Sequence, residues 1–260
     1  MKKISPQKKD TSWDSQANWY NRLVGDDGSS YHKEVILPKT LKLLQPVKNK
    51  RILDLGCGQG VFSRWLAKTG AKPVGVDLSN QLIQLAKSYE KHNQLAIDYY
   101  VADACNLPPK LKQGQFDSAV SVLSLGNMES FQQFFIEAKA ATKAKSNLVI
   151  VVMHPCFRIP RQSHWQFDED KKLQYRRVDR YLSSLSIPII THPGKDKADY
   201  TTMFHRPISA VIQAASNAGW LLKSFDEWTS NRISKGAKAK SENRARQEFP
   251  LFAAFHFVSL

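Results

Sequence analysis

The chain has 260 residues, 42% hydrophobic and 23% charged, a balance that supports a sizeable folded core with elaborations and excludes a disordered or fibrous chain. Its 38 basic residues outweigh 23 acidic ones for a formal net charge of +15, which keeps nucleic acid, anionic surfaces and acidic small molecules open as partners. No apolar run approaches the ~20 residues that cross a bilayer, and the basic residues 1–10 are not followed by an apolar stretch, so the expected protein is cytoplasmic, without a secretory signal or transmembrane segment.

In chain order, the first feature is an aromatic-rich segment from Trp13 to Tyr20, followed by a helical stretch from about Tyr31 to Leu44. A strand over 50–55 runs into Gly56-Cys57-Gly58-Gln59-Gly60 and a helix over about 60–69. A second strand at 73–76 precedes Ser79, a plausible N-cap for a helix reaching about Lys91. Strands at 98–101 and 116–122 follow, then a helix over about 130–142 and a strongly apolar fifth strand, Leu148-Val149-Ile150-Val151-Val152-Met153. This alternation predicts an α/β fold with a parallel sheet covered on both faces. After His154 the pattern breaks for about 50 residues and resumes with a helix over 208–218, stopped by Gly219, and two last strands near 221–228 and 251–258.

The glycine run carries the chemistry. An apolar strand ending in Gly-x-Gly-x-Gly lets the backbone approach a ligand closely. Dinucleotide sites space their third glycine one residue later, so the pattern here differs from the pyrophosphate-binding one. Asp54, before the glycines, suits a cationic amino-acid ligand; Asp77, 21 positions after Gly56, suits the hydroxyls of a ribose; Asp103, closing the third strand, suits the exocyclic amine of an adenine. The three acids describe a pocket for a ligand with an ammonium or sulfonium, a ribose and a base, and S-adenosylmethionine has all of these. The simpler readings are a strand-to-helix turn for the glycines and a cap or turn former for Asp54 or Asp103 alone.

These motifs, with Val74-Gly75-Val76-Asp77-Leu78-Ser79, Ala102-Asp103-Ala104 and Phe116 to Leu123, resemble the class I S-adenosylmethionine-dependent methyltransferases across roughly residues 45–155. The resemblance implies a Rossmann-like, doubly wound sheet, mostly parallel with an antiparallel last strand, and an insertion after strand five acting as a lid. It divides the chain into an N-terminal helical cap (1–45), a core (46–156 and 207–260) and a substrate-side insertion (157–206). Cofactor contacts are then expected at Tyr20, Asp54, Gly56, Cys57, Gly58, Gly60, Asp77, Leu78, Asp103, Ala104, Ser121 and Leu123. In similar enzymes an N-terminal tyrosine bonds the cofactor's carboxylate, a role open to Tyr20 or Tyr31.

The insertion mixes aromatic, histidine and arginine residues, which suits an enclosed site with a few placed polar groups. Substrate contacts are expected from Tyr31, Phe157, Arg158, Trp165 and Arg206. If the acceptor loses a proton, histidine is the natural base, with His154 and His205 leading and His32 third. The bland alternatives are a hairpin covering a sheet edge and histidines that only hydrogen-bond. Cys57, Cys105 and Cys156 lack metal-ligand spacing and form no disulfide framework, so no metal is expected.

The basic excess is spread over residues 1–10 (+3), 157–206 (+4) and 229–248 (+4). Ser234 to Arg246 reads as a flexible basic loop that contacts phosphates, covers a carboxylate-bearing substrate, or is merely solvated. The favoured function is therefore methyl transfer to a planar or aromatic small molecule. The alternative is a tRNA- or rRNA-modifying methyltransferase using the basic loop and termini, although the Asn/Asp-Pro-Pro-Tyr motif of base methyltransferases is replaced by Ser124-Leu125-Gly126-Asn127. A cofactor-binding protein without turnover is the third reading.

Overall fold

The computed structural model describes residues 13–190 and 200–259. Before the sheet come α1 (Ala17–Val24) and a π-helical turn at His32–Ile36 that runs into α2 (Leu37–Leu44). The alternating region comprises β1 (Arg51–Leu55), α3 (Val61–Lys68), β2 (Lys72–Asp77), α4 (Asn80–Asn93), β3 (Asp98–Val101), β4 (Phe116–Val122), α5 (Phe131–Ala141) and β5 (Thr142–Met153). Two separate antiparallel hairpins follow, β6 (Ser163–Asp168) with β7 (Leu173–Val178) and β8 (Leu185–Ile190) with β9 (Tyr200–His205). The chain returns through α6 (Ile208–Asn217), β10 (Trp220–Trp228), α7 (Ala239–Glu248) and β11 (Phe252–Ser259).

The main sheet has seven strands in the order β3-β2-β1-β4-β5-β11-β10. Pairing is parallel from β3 through β5, as the alternation predicts, and antiparallel on both sides of β11, as the resemblance implies. The order in which strands are added to the sheet reverses between β1 and β4, and open α/β sheets bind ligands beyond the carboxyl ends of their strands at such a point.

Near-continuous apolar strands arise because both faces are covered. Leu53, Ala119, Leu148 and Ile150 point into a layer shared with Phe134 and Phe135 of α5 and Val211 and Ala215 of α6. Their neighbours Ile52, Val120, Val149 and Val151 point the other way, against Ile36, Leu37, Phe62 and Leu66. Each large side chain buried this way contributes ~1.5–3 kcal/mol. Trp220 is 1% exposed and still satisfied, since its Nε1 donates to the carbonyl of Phe135 at 3.0 Å.

Local signals are realised closely. Ser79 accepts the Leu82 amide at 3.1 Å and caps α4, and Gly219 takes φ +82° just after α6. Of the stretch 234–246 expected to be a flexible basic loop, residues from Ala239 onward instead lie in α7. Asn243 both accepts from the Ser234 amide and donates to its carbonyl, while Lys238 pairs with Glu169 at 2.8 Å and lies over the Phe167 ring. The Asn243 bonds fold the segment on itself, and the Lys238 contacts fasten the start of α7 to the β6–β7 hairpin. The lysines of residues 1–10 lie outside the described residues.

Candidate active site

The turn after β1 is held by backbone bonds. The amides of Gly56 and Cys57 both donate to the Val76 carbonyl, at 2.8 and 2.9 Å, and the Gly58 amide donates to Asp77 Oδ2 at 2.8 Å. Gly56, Gly58 and Gly60 all have positive φ. Their missing side chains serve different ends. A Cβ on Gly56 would meet Ser124 at 2.5 Å, and one on Gly60 would collide with the Tyr99 hydroxyl, whereas at Gly58 nothing lies closer than the Tyr20 ring at 3.7 Å. Gly56 and Gly60 are thus required by packing, and Gly58 is the open floor. The sequence reading missed Tyr99, which also fills the space in front of Gly75.

The three acids sit in different settings. Asp54 is 1% exposed, accepts the Ser63 hydroxyl at 2.6 Å, and is pushed up to about 7 by burial, with Asp77 adding to the rise. Asp77 is half-buried, accepts the Gly58 and Ser79 amides, and is also raised by burial. Asp103 accepts the Cys105 amide and lines a second, more open crevice with Cys105, Asn106 and Glu129. Beside Asp77 stands half-buried Leu78, and beside Asp103 the buried Ala104. Tyr20, in α1, is pushed up to about 12 by burial and by Asp77, Asp54 and Cys57. Burial pushes the Cys57 thiol well up as well, so it remains a neutral filler.

The N-terminal segment is clamped over this turn. Asp14 accepts the hydroxyl of Ser79 and the amide of Gln81, Arg64 reaches the carbonyls of Gln59 and Asp26, and Gln59 donates to the Gly25 carbonyl. Gln59 Oε1, within the turn, is buried without a donor among the described residues. The buried Asp54 and half-buried Asp77, both raised toward neutrality, with the unpaired Gln59 acceptor and the open Gly58, fit a ligand that brings its own positive charge and N–H donors, as S-adenosylmethionine does.

The histidines need correction. His154 is 1% exposed, and both its nitrogens are engaged: Nε2 with Glu227 Oε1 at 2.7 Å, Nδ1 with the amides of Cys156 and Phe157. It has no lone pair to offer an acceptor. His205 is 4% exposed and its Nε2 donates to the Tyr181 carbonyl at 2.8 Å, so it braces the second hairpin. His32, ranked third by sequence, lines a cavity, with Nδ1 2.8 Å from Ser29 Oγ. Burial lowers its pKa and keeps the ring neutral.

Two further expectations change. Ser121 is fully buried with its hydroxyl 2.6 Å from that of Ser124, which in turn donates to the Leu55 carbonyl, so Ser121 supports the turn from beneath. Arg206 donates to the carbonyls of Met128 and Glu129 and stacks on Phe131, which fastens a loop and keeps its guanidinium out of the cavity.

The cavity that His32 lines has a volume of about 420 Å³. Leu123, which follows β4 with φ +56°, and Met153, at the end of β5, form its sheet side. Tyr31, Phe157, Arg158 and Trp165, all expected from sequence, line it too. So do three arginines that sequence did not single out, Arg176, Arg232 and Arg246. Their only advance sign was the local basic excess. Tyr31 is anchored by its hydroxyl to Ser230 Oγ at 2.9 Å and by its ring edge to Phe252.

Residues 53–150 match the methyltransferase domain family. A ubiquinone biosynthesis O-methyltransferase of Pelagibacter ubique is 34% identical over 107 residues, 41% of this chain and 43% of that protein. A Coxiella burnetii protein of the same name is 38% identical over 93 residues, 35% of this chain and 38% of its own. The chain therefore matches less than half the length of these curated relatives. An S-adenosylmethionine-dependent methyltransferase structure from Mesorhizobium loti superposes with a TM-score of 0.68 and 26% identity, covering 90% of this chain and all of that one. One from Listeria monocytogenes gives 0.66 at 23% identity, covering 86% and 97%.

Proposed function

We propose that this chain, which carries a class I S-adenosylmethionine-dependent methyltransferase domain, transfers a methyl group to a small molecule enclosed in the cavity at the tips of β4 and β5. When bound, S-adenosylmethionine supplies a methyl already activated on a sulfonium. The residues of the chain bind and orient. Holding the acceptor atom in line at ~3–3.5 Å with water excluded accounts for most of the acceleration.

In this reading Gly58, Asp77 and Tyr20 form the donor's floor, ribose partner and cover, with Asp54 supplying negative field from behind the turn and Asp103, Leu78 and Ala104 bordering the base. Acceptor contacts fall to Leu123, Tyr31, Phe157 and Trp165. The hairpins β6–β7 and β8–β9, within 157–206, act as the lid, joined by α7. Methylation of oxygen, the reaction in the names of the Pelagibacter and Coxiella relatives, requires removal of a proton, and His32 is the base we assign to it. With Nδ1–H donating to Ser29 Oγ, Nε2 holds a lone pair and has no partner among the described residues.

The observation that carries the proposal is an aromatic-walled cavity of about 420 Å³ against Leu123 and Met153, with a neutral histidine in its wall. An RNA acceptor is less well supported, because the basic stretch 234–246 is tied into α7 and the β6–β7 hairpin. The test is incubation with methyl-labelled donor and, separately, a deproteinised small-molecule extract or bulk tRNA. Label in a small molecule supports the proposal; label in the tRNA alone overturns it.

A further inference from the structure

Four arginines from four separate segments converge on the acceptor cavity: Arg158 just past β5, Arg176 on β7, Arg232 before α7 and Arg246 on α7. Among the described residues no Asp or Glu lines that cavity. Guanidiniums gathered with little counter-charge, Glu242 reaching only Arg246 and only at 4.0 Å, repel one another and lose hydration, a cost that is relieved when an anion enters.

Two of the four have other work. Arg176 donates to the carbonyls of Phe157 and Ser163 and stacks on Trp165, and Arg232 lies over the Tyr31 ring. Even so, burial and neighbouring Arg158 push the Arg176 guanidinium down to about 10. The other two have unmet capacity. The half-buried Arg158 side chain has no hydrogen-bond or ion-pair partner among the described residues, and burial lowers it too. Arg246 reaches Ser234 Oγ through one terminal nitrogen and Glu242 only at 4.0 Å, while its Nε is buried with no acceptor among the described residues. A buried donor left unpaired costs ~1–3 kcal/mol unless a ligand satisfies it.

We infer that the acceptor is an anionic aromatic or otherwise planar molecule, whose carboxylate or phosphate is gripped by Arg158 and Arg246 with Arg176 and Arg232 completing the cationic wall. This rests on the proposed function, since it names the class of molecule that the same cavity takes. Arginine forks bond carboxylate and phosphate oxygens in pairs, and Phe157, Trp165 and Phe249 offer the flat surfaces against which a planar body packs. The division of charge is also chemically apt. The acids lie around the glycine turn, where a cationic donor is expected, and the arginines lie on the lid side, where they attract an anion.

The test is calorimetry on the protein saturated with S-adenosylhomocysteine, titrated at low salt with benzoate, phenyl phosphate and uncharged benzamide. At least one anion is expected to bind at one site per chain, at least tenfold tighter than benzamide, and to weaken as salt rises. Tighter benzoate identifies a carboxylate acceptor, tighter phenyl phosphate a phosphate ester. Arg158→Gln and Arg232→Gln should each weaken the anion at least fivefold with S-adenosylhomocysteine affinity unchanged, and Arg158→Lys should restore part of the loss. Arg232 is exposed, so its variant folds even if a change at Arg158 does not. Anions that bind no better than benzamide, or that ignore both glutamine variants, overturn the inference while leaving methyl transfer standing. Failure of S-adenosylhomocysteine itself to bind would instead remove the function on which it rests.

Discussion

Asp77 Oδ2 accepts the Gly58 amide at 2.8 Å, so the acid ending β2 and the open glycine of the turn after β1 are locked in one geometry. The carboxylate is thereby aimed before any ligand arrives, and the glycine keeps the space in front of it clear.

Asp77→Ala should weaken S-adenosylhomocysteine binding about 10- to 150-fold, the loss of a charge-assisted partner worth ~1.5–3 kcal/mol. Calorimetry measures it, and wild-type affinity would mean that the ligand sits elsewhere.

Alanine at two neighbouring glycines should give opposite results. Gly58→Ala puts a methyl under Tyr20 with nothing within 3.7 Å, so stability should fall only by the ~1–2 kcal/mol of left-handed backbone strain while donor affinity drops. Gly60→Ala drives its Cβ into Tyr99 and should cost several degrees more in melting temperature. Equal melting temperatures for the two variants would refute the division of roles.

Asp54→Asn should stabilise the free protein above neutral pH. The folded carboxyl titrates near 7 against an ordinary 3.8, so the folded state holds the extra proton between those values and stability declines as pH rises through that window. The penalty is full above about 7 and amounts to at most ~4 kcal/mol at 1.36 kcal/mol per unit. Asparagine still accepts the Ser63 hydroxyl. Melting curves from pH 5 to 8 should show the variant's advantage growing with pH, and added S-adenosylhomocysteine, which carries an ammonium, should shrink it. A constant difference across the range would contradict the assignment.

His32→Gln should lower methyl transfer about 10²- to 10⁴-fold with donor affinity retained. Because burial lowers the His32 pKa, the neutral, base-competent ring is present at neutral pH and is lost as pH falls through a value below 6.5. The acid limb of the rate profile should lie there and vanish in the variant. By contrast, His154→Ala should chiefly reduce stability, since it strands Glu227 and the Cys156 and Phe157 amides.

The glycine turn, the three acids, the parallel strands and Ser79 as a cap were legible in the sequence because each depends on a short stretch of backbone. Positive φ calls for glycine within the same few residues, and a strand buried on both faces is apolar along its length. Tertiary structure alone decided which side chains remained available for chemistry. His154 is consumed by Glu227, 73 residues away, while His32 pairs with Ser29 and still faces a cavity. Gly60 leaves room for the Tyr99 hydroxyl, and Arg206, the arginine favoured by sequence, is spent on the 128–129 backbone. Arg176, Arg232 and Arg246 reach the cavity through the docking of α7 on the β6–β7 hairpin and of residues 230–231 on the turn at 31–34. Whether an imidazole or guanidinium is free depends on partners that the fold brings from far along the chain, and local pattern carries no record of them.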